Sequence, residues 1–205
     1  GFRPRAEEAG GEQGGVKLWS LETRHPVRDF DVLGFTLQYE MTYTNVLNML
    51  DLAGIPVWAR DRGEADPIVI CGGSGSFNPE PLSPFVDAFF LGEGEEAVVE
   101  LVDRIREWKR RGVPRQERLR DLLSMPGVYV PAFYEARYDD AGRFASLEPL
   151  TPEAPRVIRR RIVEQLPPPL VKPIVPFLQT IHDRASVEIQ RGCTQGCRFC
   201  QAGMI

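Results

Sequence analysis

Residues 67–108 read PIVICGGSGSFNPEPLSPFVDAFFLGEGEEAVVELVDRIREW, and two apolar runs within them decide the fold. The first, Ile68–Cys71, is continuous rather than alternating, which suits a strand covered on both faces, and it runs into glycines. The second, from Asp87 to Leu91, enters a Gly-Glu-Gly-Glu turn and then a strongly helical stretch. There Ala97, Val98, Leu101, Val102, Ile105 and Trp108 recur at helical spacing, with Glu and Arg residues opposite. Strand, turn and amphipathic helix in succession predict a parallel sheet with helices laid on it.

The same alternation extends upstream. VKLWSLE (16–22) reads as a short strand, and FDVLGFTLQ (30–38) as a buried parallel one. Between Thr42 and Ala53, Val46, Leu47, Leu50 and Ala53 predict a helix that Gly54 terminates. The expected fold class is therefore α/β, a doubly wound parallel sheet whose ligands sit beyond the carboxyl ends of the strands. Gly72, Gly73 and Gly75 lie at such an end, where they permit close backbone approach to a ligand. A simple tight turn explains them equally well. The loop does not follow G-x-G-x-x-G, which discounts a nicotinamide cofactor.

After Gly112 the character changes. RQERLRDLLS (115–124) predicts a short helix, and VYVPAFYEARY, DDAG and RFASLEPL (128–150) predict a hairpin. From Pro149 to Pro176 the chain is rich in proline, including PPP at 167–169, and reads as an extended connector. ASVEIQRGC (185–193) alternates again as a strand. The expected divisions are a leader or cut end at 1–15, an α/β domain at 16–112, a hairpin and connector at 113–185, and a final segment at 186–205.

Hydrophobic residues at 42% and charged residues at 26% are ordinary for a soluble globular protein. A net charge of −4 offers no broad attraction to nucleic acid or an anionic membrane. No apolar run approaches a membrane span, and the N-terminus lacks a signal peptide's apolar stretch. The expected location is cytoplasmic, with no membrane partner, and there clustered cysteines bind metal more often than they form disulfides. The basic run RVIRRRIVEQL holds Arg156, Arg159, Arg160 and Arg161. A solvated connector face is the favoured reading of it, and RNA phosphate contact the lesser one. His25 and His182 read as surface residues.

Three of the four cysteines fall within eight positions, as Cys193-x3-Cys197-x2-Cys200. Thiolates are soft ligands suited to iron–sulfur clusters and zinc. Structural zinc sites usually close with four ligands. Only three are local here, because Cys71 reads as a buried thiol at a strand end. A non-catalytic iron–sulfur or zinc module, relaying electrons or scaffolding a partner, stays open beside an enzyme.

VEIQRGCTQGCRFCQAG (187–203) resembles the signature of the radical S-adenosylmethionine (SAM) superfamily, C-x3-C-x2-C with an aromatic residue before the last cysteine. The resemblance implies a four-iron, four-sulfur (4Fe-4S) cluster held by Cys193, Cys197 and Cys200. SAM would occupy the fourth iron, and one electron would cleave it to a 5′-deoxyadenosyl radical. It implies that Phe199 packs beside the adenine, and that Gly192 and Gly196 let the backbone wrap the cluster. VEIQRGC would be the first strand of a partial β/α (TIM-like) barrel. A reductant such as flavodoxin or ferredoxin is the implied protein partner.

Residues 69–101 also resemble the cobalamin-binding, flavodoxin-like domain that precedes the barrel in many radical enzymes, matching at Gly72-Gly73, Pro79, Asp87 and Gly92-Glu93-Gly94-Glu95. Joined to residues 30–56, the chain most resembles an uncharacterised radical SAM family with such an N-terminal domain. Cobalamin and the three loop glycines follow as implied cofactor and contacts. The departure is the lower axial histidine, since neither His25 nor His182 stands in a D-x-H-x-x-G motif. The resemblance further implies a piece of a longer enzyme, inactive by itself.

Overall fold

The computed structural model describes residues 18–165, 167–168, 187–188 and 190–200. It divides into two compact units, Gly1–Arg161 and Ile162–Ile205.

In the first unit the run at 68–72 forms the inner strand β2 (Ile68–Gly72), parallel to β1 (Val32–Thr36) on one side and β3 (Ala88–Phe90) on the other. Strand β4 (Val128–Tyr129) closes the sheet antiparallel to β3, giving the order β1-β2-β3-β4. The α/β layering is as expected. The reversal of strand order that defines double winding is absent among the described strands.

Strand periodicity sorts the side chains onto two faces. Val69, Cys71, Phe89 and Tyr129 point one way, into a core completed by Leu37, Leu82, Val86 and the helix α1 (Tyr43–Leu52) with its Tyr43, Val46 and Leu50. Ile68, Ala88 and Val128 point the other way, against Trp108 of α2 (Glu95–Arg111) and Leu119 and Leu122 of α3 (Arg115–Leu122). Helix α2 carries Glu95 and Glu96 in its first turn and Lys109, Arg110 and Arg111 in its last, so both ends complement its dipole.

Four expectations need correction. VKLWSLE is no strand in its described part, where only Trp19 makes an isolated bridge, to Pro26. Strand β1 pairs only with β2 among the described strands, so it is a half-buried edge rather than a buried strand. Val128–Tyr129 belongs to the main sheet. The hairpin is the separate pair β5 (Tyr134–Tyr138) and β6 (Phe144–Pro149), turned by Asp139, which accepts backbone hydrogen bonds from Ala141 and Arg143. On α2, Val98 and Val102 are 60% and 38% exposed, because no described element stands over that side of the helix.

In the second unit the expected strand at 187–193 carries no strand pairing at its described residues. A strand needs a partner to form its ladder, and none is described there. Much of the proline-rich connector, His182 included, lies outside the described residues. No helix among the described residues is long and apolar enough to cross a membrane.

Candidate functional site

Beyond the carboxyl end of β2 the chain folds back onto the end of β1. Leu37 N–H donates to Gly72 O at 2.7 Å, and Gly75 N–H donates to Leu37 O at 2.9 Å. Gly73 has φ +91°, and a Cβ there would stand 2.7 Å from Leu37 O. Nearby, Ser74 Oγ donates to Gln38 O at 2.9 Å, and the Tyr43 hydroxyl lies 2.9 Å from Gly75 O and 3.1 Å from Asn78 O. Burial raises the pKa of that hydroxyl, keeping it a donor. Gly72, Gly73 and Gly75 are thus brought together, and the group they approach is the backbone of Leu37. At Gly73 the space a side chain would take is filled by the chain itself, by Leu37 and Thr36. His25 is exposed, edge-on to Phe30.

The end of β3 is closed in the same manner. Gly92 has φ +108°, and a Cβ on it would overlap the carbonyl of Arg161. Arg161 N–H donates to Leu91 O at 2.9 Å and Glu93 N–H donates to Arg161 O at 3.0 Å, adding one residue alongside the sheet. The Arg161 guanidinium reaches Glu100 at 2.7 Å and Glu96 at 3.4 Å. Its hydrogen bond holds the Glu100 carboxyl below the usual glutamate range. That contribution to stability is present at neutral pH and fades as acid protonates Glu100. Arg161 is therefore committed within the first unit, while Arg156, Arg159 and Arg160 are exposed.

Sequence reading missed the most heavily bonded polar cluster. Asp87 Oδ2 accepts from Arg62 Nη1 at 2.9 Å, Arg115 Nη2 at 2.8 Å and Val69 N–H at 2.7 Å. The three side chains are 2%, 0% and 4% exposed in the order Asp87, Arg62, Arg115. Arg62 also donates to the carbonyls of Pro56, Val57 and Phe85, and Arg115 to those of Asp66 and Pro67. Burial lowers the Arg62 pKa, and Asp87 opposes that shift. The cluster binds the start of β2, the 56–67 loop and the start of α3 into one body. The single carboxylate leading an apolar strand was its signal in sequence.

Cys71 is fully buried in β2, and burial pushes its thiol up to about 12. It holds its proton at neutral pH and acts as a small apolar side chain. Native protein at pH 8 should therefore take up iodoacetamide on Cys193, Cys197 and Cys200 and reach a fourth site only in denaturant. Mass spectrometry reads this directly, and full labelling of native Cys71 would show that β2 opens.

The three remaining cysteines occupy one loop of the second unit. Cys193 and Cys197 are exposed and Cys200 is half-buried. Gly192 and Gly196 take left-handed φ values of +76° and +64°. Gln195 N–H points at Cys193 Sγ at 3.5 Å, and Cys200 N–H donates to Cys197 O at 3.0 Å. Arg191 and Glu188 pair at 2.6 Å just ahead of the loop. Phe199 is 93% exposed. Among the described residues no three His, Cys, Asp or Glu side chains are gathered as a metal site. The donor chemistry is of the kind that thiophilic metal clusters take: three soft thiols fall within one loop, and a backbone N–H faces one of the sulfurs.

Two comparisons with known proteins are negative: no curated protein and no solved structure matches this chain. The third is positive. A family model described as "Radical SAM proteins, N-terminal" matches residues 2–131, which takes in the whole four-stranded sheet and stops short of the cysteine loop. With more than half its length matched, the chain belongs to the N-terminal family of radical SAM proteins.

Proposed function

We propose that this chain is part of a radical SAM enzyme in which Cys193, Cys197 and Cys200 are the protein ligands of a 4Fe-4S cluster. The observation that carries the proposal is the loop itself, three thiols at x3 and x2 spacing in a chain whose preceding domain belongs to that family. When bound, such a cluster supplies a low-potential electron and one iron open to SAM. The chain's own contribution is to present the three sulfurs on a segment free of core packing. The Gln195 N–H faces Cys193 Sγ at 3.5 Å and offers that sulfur a hydrogen bond. In this reading Phe199, between two of the ligand cysteines in sequence, packs beside the adenine of SAM.

In this reading a reductant such as flavodoxin or ferredoxin delivers the electron. The α/β unit is a cobalamin-domain-like layer whose glycine loop has been filled by Leu37, so it serves as a packing and positioning body. Anaerobic reconstitution with iron and sulfide, followed by electron paramagnetic resonance of the reduced protein, tests the proposal. The spectrum should change on adding SAM. A colourless protein holding one zinc, or a cluster spectrum indifferent to SAM, would favour a non-catalytic module instead.

A further inference from the structure

Past the hairpin the chain returns across the α/β unit and is fastened to it at three places. Ala154 is buried in the core beneath α2 and α3, and next to it the Tyr134 hydroxyl donates to Pro155 O at 2.9 Å. Ile158 packs against the core on the opposite face, the one that α1 covers. Arg161 docks at the end of β3, beside Gly92 and Gly127, whose φ values are +108° and +81°. A Cβ on Gly92 would overlap the Arg161 carbonyl, and one on Gly127 would come within 3.3 Å of its nitrogen. Two left-handed glycines, one following β3 and one preceding β4, thus meet at a single residue and make a socket for its backbone.

Between these fastenings the chain is lightly held. Arg156, Val157, Arg159 and Arg160 are exposed, and Ile158 is half-buried. The fastening at Arg161 consists of two backbone hydrogen bonds, from its N–H to Leu91 O and from Glu93 N–H to its own carbonyl, and of ion pairs to Glu100 and Glu96 on one face of α2. A segment with few buried apolar contacts opens at a fraction of the free energy of global unfolding. Leu91 N–H donates instead to Gly127 O at 2.7 Å, a bond that does not involve the returning chain.

We propose that residues 156–161 are a strap that undocks and redocks as a unit on an otherwise intact α/β body, with Arg161 as its latch. Docked, the strap makes the chain leave the α/β unit beside Gly92. Undocked, the chain leaves from Pro155, and residues 156–161 add about 20 Å of reach at about 3.3 Å per residue. The fold thereby carries two lengths for the chain that leads toward the cysteines. Every contact of the latch lies within the first unit, so the device does not depend on what the cysteines bind.

Native-state hydrogen exchange on the full chain tests this. The Glu93 amide should exchange through the undocked state and be less protected than the Leu91 amide two residues away. Arg161→Gln keeps the backbone and removes both ion pairs. Exchange at Glu93 should then rise about fivefold, with Leu91 and the circular dichroism unchanged. Trypsin supplies a second readout, because cleavage after Arg156, Arg159 and Arg160 needs the strap undocked. That cleavage should quicken by the same factor in the variant. Glu93 and Leu91 exchanging in step would overturn the proposal, as would Glu93 exchange and strap cleavage that are the same in both proteins.

Discussion

Replacing Asp87 with asparagine should destabilise the α/β unit by about 3–5 kcal/mol, read as a fall in the urea midpoint at unchanged slope. The substitution keeps size and shape, so no cavity accompanies it. It does leave Arg62 and Arg115, both almost wholly buried, without their shared counter-charge. Their carbonyl partners satisfy hydrogen bonds but carry no net charge to offset two guanidiniums. Asp31→Asn is the control, since Asp31 and Lys109 form a half-exposed pair and pairs of that kind contribute little. A loss at Asp87 no larger than that at Asp31 would show that the buried cluster relaxes or admits water. The account of what holds β2 and α3 together would then be wrong.

The same cluster shows what was legible in sequence and what was not. Ile68–Cys71 and Ala88–Phe90 announce themselves because a strand covered on both faces must be apolar at successive positions. Helix α2 is equally plain, yet its periodicity overstates its buried stripe. Val98 and Val102 fit the pattern and lie exposed, because burial depends on a neighbour as well as on spacing. Arg62 and Arg115 sit in polar stretches that read as solvated. They meet Asp87 only after strands 68–72 and 88–90 are placed side by side. Strand β4 was lost to the hairpin because two residues carry almost no local pattern and β3 decides where they pair.

The glycines divide along similar lines. Gly73 permits either a ligand or a backbone at close range, and only the fold shows that Leu37 comes to fill the space. Gly92, read as part of a turn into a helix, is needed because Arg161 returns from a distance of many residues to lie against it. The cysteine loop is the opposite case. The ligand set proposed for it rests on spacing, since the three thiols are close in the chain and need no distant partner to make them a donor set.

Replacing any one of Cys193, Cys197 and Cys200 with alanine should abolish stable cluster assembly. Three thiolates are the fewest that hold a cubane while leaving an iron open, and two leave it exposed to loss. Loss at one position should therefore resemble loss at the other two rather than removing a third of the iron. Cys71→Ala should behave differently. It removes a sulfur packed between Val69 and Phe89 in the core, which costs about 1 kcal/mol or somewhat more of stability but no ligand. Iron and acid-labile sulfide per chain, measured after anaerobic reconstitution of all four variants, compares the two classes in one experiment. The expected result is near-complete loss in Cys193→Ala, Cys197→Ala and Cys200→Ala and full retention in Cys71→Ala. A Cys71→Ala protein as empty as Cys197→Ala, or a Cys197→Ala protein that stays fully loaded, would contradict the assignment of the cluster to this loop.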